Sequence, residues 1–123
     1  MNNQPNNRTY GNWGEDKACD YIHSIGYEII ERNFRNRLGE IDIIAKDGAT
    51  VCFIEVKTRY SLTHGKPFES VNATKKRKLI QLALSFLKYR FKTTSIKSRF
   101  DVISIIQDDT NISIKHIRNA FSR

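Results

Sequence analysis

The sequence predicts an α/β domain with a mixed central sheet of about five strands flanked by helices, in the order α-β-β-β-α-β-β. Three observations lead there. Residues 13–25 and 71–91 carry apolar side chains at helical spacing. Three strand-like stretches precede the long second helix and two follow it. The chain has 123 residues, 39% of them apolar, which suits one domain with one modest core.

Residues 1–12, MNNQPNNRTYGN, are polar and Asn-rich and are expected to form a flexible tail. They lack the apolar run of a signal peptide, so the expected location is the cytoplasm. No apolar stretch approaches the roughly 18 residues of a membrane span, and no membrane association is expected. Residues 13–123 form the single folded domain.

That domain opens with the helix WGEDKACDYIHSI, whose buried face is marked by Ala18, Tyr21, Ile22 and Ile25. Gly26 suits its C-terminal stop. YEIIERNFRN (27–36) reads as the first strand, and Arg37, Leu38 and Gly39 break it. EIDIIA (40–45) and TVCFIEVKTR (50–59) are two strands joined by turn residues Lys46 to Ala49. YSLTHGKPFE (60–69) reads as a loop. The long helix buries Leu79, Leu82, Ala83, Phe86 and Leu87. RFDVISII (99–106) and NISIKHI (111–117) are the last strands, around the polar turn Gln107 to Thr110. Cys19 and Cys52 read as reduced core thiols. His23, His64 and His116 fit no zinc spacing.

The net charge is +8, from 21 basic and 13 acidic residues. Its placement is uneven. Ser70 to Phe100 holds nine Lys or Arg and no acid, while the rest nearly cancels. Surface helices usually mix signs, so this segment suits a polyanion, and nucleic acid is the expected partner. The ordinary alternative is a solvated helix face.

The hairpin GEIDIIAKDGATVCFIEVKTR carries charges that a buried sheet should exclude. Alternation puts Glu40, Asp42 and Ile44 on one face of their strand, and Val51, Phe53, Glu55 and Lys57 on one face of the next. A short turn then sets Asp42 and Glu55 on the same side, roughly 5–8 Å apart. Carboxylates that close repel, more so when buried. Lys57 is one counterion; a divalent cation with hard oxygen ligands, Mg²⁺ or Mn²⁺, fits better. Glu15 falls on the apolar stripe of the first helix and should point towards the sheet; its ordinary role would be to favour the helix dipole. For the hairpin acids the ordinary role is a cross-strand ion pair.

Asp42 followed by Glu55-Val56-Lys57 resembles the PD-(D/E)xK pattern of the restriction-endonuclease-like core, with Ile41 where the pattern has Pro. GNWGEDKACDYI, GYEIIERNFRNRLGEIDIIA, FIEVKTR, Lys75-x-x-Lys78-Leu79 and RFDVI together resemble the bacterial YraN family, which is similar in fold to archaeal Holliday junction resolvases. The resemblance implies a restriction-endonuclease-like domain over residues 13–123. It also implies a metal-dependent endonuclease acting on DNA, with Glu15, Asp42, Glu55 and Lys57 as catalytic residues. Metal ligands would be Asp42, Glu55, Glu15 and the Val56 carbonyl. Lys57 would orient water or stabilise the phosphate. Arg59, Lys75, Lys76, Lys78 and Arg99 are candidates for contacting nucleic acid, with Lys75 nearest the site because it lies four residues before Leu79. A twofold dimer would supply two sites for a symmetric junction. The rival expectations are a non-catalytic nucleic-acid-binding module that keeps the fold, and a scaffold for an acidic protein partner.

Overall fold

The computed structural model describes residues 7–60 and 72–121, with side chains from Asn12 on. The elements are α1 (Asn7–Ser24), β1 (Glu28–Asn36), β2 (Gly39–Asp47), β3 (Thr50–Tyr60), α2 (Ala73–Phe91), β4 (Ser98–Gln107) and β5 (Ile112–Phe121). The order is the expected α-β-β-β-α-β-β. The five strands lie side by side in chain order. Every neighbouring pair is antiparallel except β3 and β4, which are parallel. The reason lies in the connections. Tight turns join the antiparallel pairs, whereas parallel strands need a crossover of a dozen or more residues, supplied here by the α2 segment.

The two helices cover opposite faces. On one, Ala18 and Ile22 of α1 pack on Ile43, Ala45, Cys52, Ile54, Ile103 and Ile105. On the other, Leu82, Ala83, Phe86 and Leu87 of α2 pack on Ile44, Val51, Phe53 and Phe100. Coverage on both sides is why Val51 to Ile54 is one apolar run, all buried. Asn72 caps α2, its side-chain oxygen accepting from the Lys75 backbone N–H at 2.8 Å. Gly48, at φ 60°, makes the tight turn between β2 and β3 possible.

Several boundaries differ from expectation. Helix α1 starts at Asn7, so residues 7–12 are helical rather than tail; Asn and Gly are weak helix formers and hid these turns. Ile25 lies past the helix end and is 37% exposed, outside the core it was expected to join. Strand β5 runs on to Phe121, which stacks on Phe100 at 4.6 Å. Residues 61–69 of the expected loop, and residues 1–6 of the expected tail, lie outside the described residues.

The alternation expected for β2 also breaks. Ile41 joins the α2 side together with Ile44, while Ile43 joins the α1 side. The β2–β3 ladder ends at Ile43↔Ile54. On the β1 flank, Asn33 adopts φ 56°, a left-handed conformation within a strand. The sheet is therefore irregular around Asp42.

Candidate metal and phosphate site

Past the Ile43↔Ile54 pair, β2 and β3 part, and the next residues are Asp42 and Glu55. Asp42 fills the gap: its Oδ2 accepts the Val56 backbone N–H at 2.8 Å. The Val56 contact seen is thus through its N–H.

Glu15 reaches the same place from α1. Gly14, the residue before it, is buried against Thr58 of β3, and this close approach fixes α1 over the end of the strand. Glu15, Glu40 and Asp42 each offer a carboxylate oxygen, and these oxygens all lie within 4.8 Å of one another. Glu40 also pairs with Arg35 Nη2 at 2.8 Å. Arg32 of β1 sits between two acids of α1, with Nη2 2.9 Å from Asp16 and 3.7 Å from Glu15.

Burial and crowding act on these carboxyls. Burial, opposed by the Val56 N–H and reinforced by the charges of Glu15, Glu55 and Glu40, pushes Asp42 up to about 7. Burial also raises Glu15, despite the nearby Arg32. Among the described residues, Glu15 Oε1 and Glu55 Oε2 are buried with no hydrogen-bond partner.

Glu55 lies close enough to Asp42 to raise its pKa, yet it stands outside the tight trio. Its Oε1 is 3.0 Å from Lys75 Nζ and 3.5 Å from Lys57 Nζ. Of the cations that open α2, Lys75 is therefore the one at the acids, where its spacing before Leu79 put it. Lys76 sits over the Phe121 ring at 5.6 Å, and Lys78 is exposed. Arg59 is partly buried near the end of β3, beside Ile106 of β4.

Arg99 is not brought to this group. Its guanidinium faces Asp47 at 2.9 Å, Asp101 at 3.0 Å and the Tyr27 hydroxyl at 2.6 Å. Asp101, 1% exposed, also receives the Asn119 backbone N–H at 3.0 Å and lies 2.8 Å from His116 Nε2. Those bonds outweigh burial and hold Asp101 below its usual pKa. Arg99 thus serves an internal ion pair, which only the folding of β4 beside the β2–β3 turn creates.

Glu40 was missed as a site residue, although its spacing of two from Asp42 was the available signal. Arg32 carried no such signal. The donor set fits a hard divalent cation: three carboxylates converge from α1 and β2, with a buried Glu15 oxygen that has no hydrogen-bond partner.

A two-layered helix cover, a mixed five-stranded sheet and an acid cluster facing lysines define the class of domain. Comparison with known sequences places it further. The chain belongs to the family described as "Uncharacterised protein family UPF0102", whose sequence profile matches residues 14–105. This is the YraN-type family that the motifs resembled. The chain is 47% identical over 118 residues to a UPF0102 protein of Caldicellulosiruptor saccharolyticus, covering 94% of this chain and 99% of that protein. It is 49% identical over 117 residues to a UPF0102 protein of Clostridium kluyveri, covering 94% and 95% respectively. Among the described residues, no helix is long and apolar enough to cross a membrane.

Proposed function

We propose that this protein is a cytoplasmic, divalent-cation-dependent endonuclease that hydrolyses phosphodiester bonds in DNA. Branched DNA such as a Holliday junction is the proposed substrate, and Mg²⁺ or Mn²⁺ the cofactor. One observation carries the proposal: Glu15, Glu40 and Asp42 converge within 4.8 Å, beside Glu55 and two lysines. Burial and the neighbouring carboxylates raise the pKa of Asp42 and of Glu15, and a divalent cation among them would favour their charged forms. When bound, that cation supplies charge neutralisation at the scissile phosphate and a nucleophile at neutral pH.

The chain's own residues do the rest. Glu15 of α1 and Asp42 and Glu40 of β2 would hold the ion. Lys57 orients the attacking water or places its charge against the phosphate. Lys75 stands in the first turn of α2, where a cation opposes the helix dipole and a bound phosphate relieves it. The acid-free segment from Ser70 to Phe100 attracts the rest of the backbone. Two such sites, in a twofold dimer, would cut both strands of a symmetric junction.

One observation favours a second reading, a nucleic-acid-binding module without turnover: Lys57 and Lys75 already neutralise Glu55. A cleavage panel of linear, flapped and branched DNA, and of RNA, decides. It is run with Mg²⁺ and Mn²⁺ beside Glu55→Ala and Asp42→Asn. Cutting of branched DNA by wild type alone supports the enzyme. Mn²⁺ binding and DNA binding with no cutting of any substrate leave the binding module.

A further inference from the structure

A groove runs between β1 and the C-terminal half of α2. Phe34 and Arg35 form its β1 side with Asn33 and Asn36, and Ser85 and Tyr89 form its α2 side. Tyr89 is 65% exposed, the most exposed large apolar side chain among the described residues. Phe86 backs its ring at 6.5 Å, and Lys92 Nζ donates to its carbonyl at 3.3 Å. Core packing does not account for a tyrosine in that position.

Two side chains tie this groove to the acid trio. Arg35 pairs with Glu40, and Asn33 lies near enough to the Glu15 carboxyl to favour its charged form. A third link runs along α2. Lys78, Gln81, Ser85, Tyr89 and Lys92 recur at spacings of three and four, so they form one exposed stripe without an acid. That stripe starts one turn from Lys75, which touches Glu55.

We infer that this groove binds single-stranded nucleic acid leading into the acid site, with one unpaired base stacked on Tyr89. The inference rests on the nucleic-acid reading above and names the strand form it takes. Stacking on an exposed ring needs a base with a free face, which a duplex does not offer. The Ser85 hydroxyl and the amides of Asn33 and Asn36 can meet a base edge. Asn36 Oδ1 is engaged by the Leu38 backbone N–H at 2.7 Å, so its NH₂ is the group on offer. Lys78 and Lys92 meet the backbone, and their charge outweighs Glu31, the acid on the groove wall; Arg35 is paired with Glu40. At 1.5 Å per residue, Tyr89 lies about 21 Å along the helix from Lys75. That spans about six nucleotides at the 3.4 Å spacing of one duplex strand, fewer if the strand is stretched.

The test is fluorescence anisotropy of the full chain with a labelled single-stranded DNA dodecamer and with the same dodecamer annealed to its complement, both in EDTA. Tyr89→Ala should weaken single-strand binding about 5- to 150-fold and leave duplex binding within about twofold. Tyr89→Trp should restore binding, with its indole fluorescence quenched by the oligonucleotide. Unchanged single-strand affinity in Tyr89→Ala, or an equal loss for duplex, overturns the inference and leaves the nucleic-acid reading standing. Wild-type protein that binds neither probe, nor a four-way DNA junction, overturns both. Sedimentation of the same variant completes the test: a loss of self-association, with oligonucleotide affinity unchanged, would assign Tyr89 to a second copy of the chain instead.

Discussion

Gly14 of α1 and Thr58 of β3 touch so closely that a Cβ on Gly14 would overlap the threonine hydroxyl and lie 3.1 and 3.2 Å from its two side-chain carbons. On an exposed helix, Gly→Ala stabilises by about 1 kcal/mol. Here the sign should reverse. Gly14→Ala should cost about 1–3 kcal/mol by overpacking, read by urea denaturation. Thr58→Ala in the same chain should recover most of it. If Gly14→Ala is as stable as wild type, α1 is not seated by this contact.

The crowding at Asp42 makes stability depend on pH. In the metal-free protein its folded carboxyl keeps a proton up to about 7, whereas the unfolded one releases it near 3.8. The folded state therefore binds more protons in that window, and stability falls as pH rises through it. The ceiling is about 4 kcal/mol at 1.36 kcal/mol per pH unit. Asp42→Asn keeps an acceptor for the Val56 N–H but carries no charge. In EDTA it should gain on wild type as pH rises from 3.8 to about 7, and stay level above that. Parallel stability curves for the two proteins would show that Asp42 is not strained.

Lys57 separates enzyme from binder. An amine is not a ligand for Mg²⁺, so Lys57→Ala should keep the cation. Lys75 still neutralises Glu55 in that variant, and most DNA affinity should remain. Cleavage should fall by about 10² or more, as for loss of a positioned charge or acid–base group. Single-turnover cleavage beside Mn²⁺ calorimetry reads both quantities. A variant that cuts as fast as wild type would remove Lys57 from the mechanism.

Asp101 should matter for folding alone. Asp101→Asn leaves Arg99, 18% exposed, short of its inner partner, and breaking such a pair costs about 3–5 kcal/mol. The folded pKa of Asp101 lies below its ordinary value. Its contribution is therefore complete above the ordinary carboxylate range and is lost as pH falls through the lower folded value. Acid denaturation should begin at higher pH in the variant. DNA affinity at neutral pH, where the variant is still folded, should match wild type.

The element order was legible because each segment's period, apolar spacing and turn residues agreed with one another. The pairing of even positions in β2 with odd positions in β3 followed from the short turn, and with it the approach of Asp42 to Glu55. What escaped depends on contacts distant in sequence. Arg99 looked like a free cation until β4 lay beside Asp47. Ile41 changed sides because the ladder ends next to a left-handed Asn33. Glu40 was visible on the correct strand; β1 gives it Arg35, and only the approach of α1 brings Glu15 to it.

The two cysteines have a practical use. Cys19 and Cys52 are both buried and unpaired, and burial pushes the Cys52 thiol up to about 12. Cys19 lies on the buried face of α1, and Cys52 lies in β3 on the sheet face that α1 covers. An alkylating reagent needs a thiolate in contact with solvent, so neither can react until its surroundings open. Labelling of the thiols faster than the amides of the sheet exchange would report α1 lifting away from an intact sheet, and labelling at the rate of that exchange would report whole-domain opening. The chain thus carries its own clock for the helix that presents Glu15.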